Sequence, residues 1–139
     1  MPRDSILSVD IEVIALLAVA LLALAAAFQL GLAVGAPWGA AAYGGRVVSH
    51  GALPTGYRLG SGVAVLVLLA ASWVVLASVA VVGRGPVTVD VLTAVLWGMA
   101  VLFALNTLGN ARGRHPLERW GAGVVTALLA VCCVLLAVD

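Results

Sequence analysis

Six side chains in this sequence, Gln29, Trp38, Arg58, Asn106, Asn110 and Arg119, are of types that hold a ligand rather than transform one. Amides in apolar surroundings need hydrogen-bond partners, and arginine forks suit an anionic headgroup or a carboxylate. Asn106 and Asn110 stand four apart and share a helix face, while Gln29 lies at a comparable depth in an earlier apolar run. Two arrangements are open for these amides. One is a clasp between the first and third helices, each bond contributing roughly 0.6–2 kcal/mol. The other is a small polar pocket completed by Trp38, Tyr43, His50, Arg58 and Arg119.

Reactive chemistry finds fewer residues to carry it. Cys132 and Cys133 are adjacent, so on a helix they point about 100° apart and do not form the redox pair that a C-x-x-C spacing gives. His50 and His115 fall at the opposite end of the apolar runs from the cysteines, which separates the parts of a Cys/His metal site. No ionisable side chain interrupts an apolar run to relay protons or pair with a coupling ion. Phosphate-loop, nucleophile-elbow and zincin motifs are missing too. No catalytic residue, cofactor or metal is therefore expected, and Glu118 beside Arg119 reads as a surface ion pair contributing little.

The elements that must position these residues follow from composition. With 64% hydrophobic and 9% charged residues, a water-soluble fold would leave large apolar areas exposed, so the solvent this chain fits is a lipid bilayer. Crossing the hydrocarbon takes about 20 helical residues. Four runs meet that length, at about 11–34, 59–82, 89–108 and 120–138. They predict an all-α membrane protein, a single domain over 1–139 with four transmembrane helices in an up-down bundle. Runs such as Val63 to Leu69 do not alternate, which argues against barrel strands. The length of the first run favours an uncleaved span over a signal peptide. Gly83-Arg84-Gly85-Pro86 reads as a tight turn, with Thr88 or Asp90 capping the third helix.

A net charge of +1 gives no argument for nucleic acid. Its sidedness is more informative. Arg3 and Arg84 fall on one side of the spans, and Arg46, Arg58, Arg112, Arg114 and Arg119 on the other. The excess of arginine marks the cytoplasmic side, so both long crossings are expected inside and both termini outside. A C-terminal cysteine that labels only after permeabilisation would reverse that orientation.

Gly31, Gly35 and Gly39 recur every fourth residue and read as a smooth packing stripe at the end of helix one, where small residues let backbones approach. Trp38, Tyr43, Tyr57 and Trp120 fit the aromatic belt of a bilayer interface. Arg58-Leu59-Gly60-Ser61-Gly62-Val63 parallels Arg119-Trp120-Gly121-Ala122-Gly123-Val124, the trace expected of a duplicated helical hairpin against a strong background of chance Gly, Ala and Val matches.

The windows Phe28 to Arg58 and Phe103 to Arg119 carry a resemblance, through Phe28-Gln29, Gly35-Ala36-Pro37-Trp38-Gly39, Leu53-Pro54, Phe103-Ala104-Leu105-Asn106-Thr107 and Asn110 with Glu118-Arg119. Together they resemble an uncharacterised group of small four-helix bacterial membrane proteins, frequent in actinobacteria. That resemblance implies the bacterial cytoplasmic membrane and carries no activity or site. The expected role is a packing or binding module or accessory subunit, with a cytoplasm-facing polar pocket at Gln29, Trp38, Arg58, Asn106, Asn110 and Arg119. Its expected partners are the lipid bilayer, a membrane protein or a second copy, and an anionic lipid or small anion. The alternative is a carrier or membrane enzyme for a lipid or small anion.

Overall fold

A computed structural model describes residues 3–48 and 50–139, with side chains from residue 10 onward in the first helix. Four helices run through it: α1, Arg3–Val34; α2, Thr55–Ser78; α3, Val89–Ala111; and α4, Gly123–Val138, which is entered through a π-helical turn, Leu117–Ala122. Each is long and apolar enough to cross a membrane, with the last span counted from Leu117. α1 packs along α2 and α3 along α4, and the two hairpins meet chiefly through α1 against α4. Arg58 at the head of α2 touches Ala33 at the foot of α1, and Thr126 in α4 touches Thr107 in α3. Consecutive helices are therefore antiparallel, and the bundle is up-down.

The core is one stripe from each helix. Ala15, Ala18 and Leu22 of α1 meet Ala71, Val74 and Val75 of α2, Leu92, Leu96 and Phe103 of α3, and Leu129, Cys133 and Leu136 of α4. Alanine on α1 and α2 lets the backbones approach closely, which in lipid substitutes for a hydrophobic drive between helices. Cys132 and Cys133 are buried, unbridged and packed into this cluster as small apolar groups. On the outward faces Leu16, Leu24, Leu66, Val101, Leu105 and Val131 all stand exposed, which is the arrangement a hydrocarbon solvent requires.

Helix ends depart from the sequence boundaries for local reasons. α2 starts four residues earlier than expected, because Pro54 supplies the acceptor for Arg58 N–H at 3.1 Å and opens the first turn. It also stops four residues earlier, at Ser78. There Val81 N–H reaches back to Leu76 O (3.0 Å) and Ala80 N–H to Ala77 O (3.2 Å), a Schellman closure that forces Ala80 to φ +59. A Cβ at that angle is strained, and Ala80 is exposed, so it gains no packing in return. Ala80→Gly is expected to raise stability by about 0.5–1 kcal/mol, measured by unfolding in mixed micelles. α3 starts as expected, with Thr88 Oγ1 accepting from Val91 N–H at 3.4 Å.

α1 closes by the same device with the residue it favours. Gly35 sits at φ +94, Ala36 N–H bonds Gly31 O (2.8 Å) and Gly35 N–H bonds Leu32 O (3.2 Å). The expected glycine stripe is thus a correction: the helix ends at Val34, so Gly35 is its cap and Gly39 belongs to the next turn. Gly31 faces not a helix but the Trp38 ring, which folds back over it and would overlap any Cβ there.

Candidate functional site

The crossing between α1 and α2 holds two 3-10 turns, Gly39–Ala41 and Tyr43–Gly45. Gly39 N–H bonds Gly51 O at 3.1 Å and closes the crossing into a loop over Leu32 and Leu53, a small second core. Trp38 lies parallel to Phe28, with centroids 6.0 Å apart and planes 7° apart.

Arg58 serves this closure. Its Nε donates to Ala33 O at 3.0 Å and its guanidinium lies against Gly35, so a cation sits on the carbonyl end of α1 where the helix dipole favours one. The arginine expected to receive an anion is engaged with the backbone. Asn110 reaches α4 rather than α1: its amide donates to Thr126 Oγ1 at 3.4 Å, and Thr107 Oγ1 bonds the same oxygen at 2.9 Å. Asn106 is exposed on the outer face of α3. Gln29 Oε1 is buried without a partner. Among the described residues no hydrogen bond joins Gln29 to either asparagine, so the clasp expected between α1 and α3 is replaced by a Thr107–Asn110–Thr126 clasp between α3 and α4. Arg119 is exposed and lies over the Trp120 ring at 5.9 Å. The six candidates therefore share one end of the bundle, with Arg58 and Asn110 bonded to separate elements.

What does organise that end is a residue assigned above to the surface. Glu118, in the π-helical turn, is 6% exposed. Its Oε1 accepts the backbone N–H of Gly44 at 2.7 Å, a short charge-assisted bond from one crossing to the other. Arg114 N–H meets Gly44 O at 3.4 Å, so the second crossing grips the first by both backbone polar groups of one residue. The expected surface pair with Arg119 is corrected accordingly. Tyr43, Gly44 and Gly45 hold three successive positive φ angles, +54, +75 and +63, which turns the Gly44 N–H inward toward the acid. Glycine adopts that conformation freely, whereas Tyr43 is strained. The strain at Tyr43 is held by its hydroxyl, which lies 3.3 Å from both Tyr57 O and the fully buried Ser61 Oγ, and by its edge-on contact with Tyr57.

Gly113 completes the grip. A Cβ there would lie 2.5 Å from Glu118 Oε2 and 2.9 Å from Asn110 O, so only a residue without one lets the carboxylate enter. Oε2 itself is buried with no hydrogen-bond partner. Two sequence signals pointed here: Gly44-Gly45 is a left-handed turn pair, and Glu118 is the one acid on the arginine-rich side of the spans.

Two concavities lie elsewhere. One, about 350 Å³, opens at the opposite end among all four helices; the other, about 390 Å³, is an apolar groove on the outer face between α3 and α4 along Trp97, Ala100, Ala104 and Val134. Set against known protein families, curated proteins and solved structures, the chain matches none.

Proposed function

We propose that this chain is a non-catalytic, multi-pass protein of the bacterial cytoplasmic membrane, in line with the family it resembles. It acts as a binding module or accessory subunit that presents the end carrying both crossings to a partner. The observation behind this reading is the docking of the two crossings through Glu118 and Gly44, with Arg46, Arg112, Arg114 and Arg119 left exposed around it. A preformed surface needs no ordering on contact, which lowers the cost of association. Its charge favours an acidic membrane-protein surface or an anionic headgroup. With Arg58 and Asn110 engaged internally, the polar residues support the platform more than they line a pocket. The arginine asymmetry supports placing this end in the cytoplasm, and a C-terminal cysteine labelled in intact cells checks that.

Photocrosslinking in native membranes tests the role. A photoreactive residue at Arg46 or Ala52, both exposed in the first crossing, is expected to give discrete adducts well above those from the outward-facing Leu66. Adducts no more frequent than at Leu66 would sink the reading. A carrier or enzyme acting through these side chains needs a water-filled cavity among them, and the two cavities described lie apart from them.

A further inference from the structure

The end of the bundle opposite the crossings holds the cavity of about 350 Å³, within the roughly 300–1,000 Å³ usual for ligand sites. Its floor is apolar and well packed: Leu92, Leu96 and Leu136 are 2%, 1% and 7% exposed. Its rim carries charge of both signs, Arg84 from the α2–α3 turn and the carboxylates of Glu12 on α1 and Asp139 beyond α4. Among the described residues no ion pair joins Arg84 to either acid. Opposite charges that share a rim without pairing leave both signs available to one guest.

The backbone sorts the two signs in the same way. The carbonyl ends of α2 and α4 reach this cavity at Val79 and Ala137, and the amino end of α3 reaches it at Val89. Carbonyl ends favour a cation and amino ends an anion. The anion-favouring elements, Arg84 and the start of α3, follow one another in the chain. The cation-favouring elements are Glu12, Asp139 and the two helix ends.

We infer that this cavity binds the head of a zwitterionic amphiphile, a primary ammonium set against Glu12 and Asp139 and a phosphate set against Arg84, above the closed floor of Leu92, Leu96 and Leu136, with the attached apolar part running out over the half-buried Ile11 and Val79 and the exposed Val89. A primary ammonium donates up to three hydrogen bonds to carboxylates, whereas a quaternary one donates none. The site is therefore selective for phosphatidylethanolamine over phosphatidylcholine, and over anionic lipids that lack the ammonium. The inference is independent of the role assigned to the crossings at the other end.

The test is native mass spectrometry of the protein released from nanodiscs containing equal parts phosphatidylethanolamine, phosphatidylcholine and phosphatidylglycerol. The expected result is one phosphatidylethanolamine retained at least tenfold over either competitor. Glu12→Gln and Arg84→Gln, both at exposed positions that leave the core intact, are each expected to reduce that preference to threefold or less. Free phosphoethanolamine at millimolar concentration identifies the source. If it displaces the lipid, the headgroup alone suffices; if it does not while the preference persists, the membrane lipid is the ligand. Equal retention of the three lipids, or a preference that both variants keep, overturns the inference. A circular dichroism spectrum matching wild type confirms that each variant is folded.

Discussion

Glu118→Ala is expected to lower the stability of the folded chain by about 2 kcal/mol, the range for a hydrogen bond to a charged group whose loss strands a partly buried donor. Gly44 N–H would lose its acceptor, and the left-handed turn would lose a contact that offsets the strain at Tyr43. The loss should be local before it is global. At 1.4 kcal/mol per factor of ten, 2 kcal/mol is about a 30-fold rise in the open population of the crossing, and protease cleavage after Arg46 should quicken by a similar factor where reclosing is fast. Glu118→Gln keeps an oxygen for Gly44. It also places an amide donor where the orphan Oε2 now lies, in the small space shared with Asn110 O, so most of the stability should remain. If Ala and Gln behave alike in mixed-micelle unfolding, the bond to Gly44 does not hold the crossings together.

Gly113→Ala is expected to cost about 3 kcal/mol, at the upper end for overpacking, because the added methyl meets a carboxylate oxygen and a backbone carbonyl that cannot swing aside. The position has no positive φ to blame, so the cost is steric and its main opponent is Glu118. Combining the two substitutions distinguishes this from a general loosening of the α3–α4 crossing. In the Glu118→Ala background the carboxylate is gone and the methyl meets chiefly Asn110 O, so its further cost should fall to about 1 kcal/mol, a coupling of the size found for residues in contact. Full additivity in the double-mutant cycle would show that Gly113 is required for some other reason.

The spans could be read from the sequence because they rest on local quantities: apolar length, the Gly-Pro turn, which closes one residue later than expected through Val87 N–H on Arg84 O, and the Thr88 cap each depend on a few neighbouring residues. The candidate site was harder to read because its contacts are long-range. Glu118 and Gly44 are 74 residues apart, and nothing in the composition around an Glu-Arg pair distinguishes an acid turned inward from one left in water. The sequence suggests an anion partner for Arg58 and hides its role as a cap, since that role depends on where α1 ends 24 residues earlier. The glycine spacing misled for the same reason. A period of four has meaning only while the helix continues, and Gly35 is the residue that stops it.

The Glu118–Gly44 bond also sets an order of events during synthesis. The first hairpin and its crossing leave the ribosome well before the acid that completes them; at roughly 5–20 residues per second the wait is about 4–15 seconds. Through that interval the Tyr43-Gly44-Gly45 turn has Tyr57 and Ser61 to hold it but no acceptor for Gly44. The first half of the protein is thus inserted early and finished late, and the arrival of the second hairpin fixes the shape of the first.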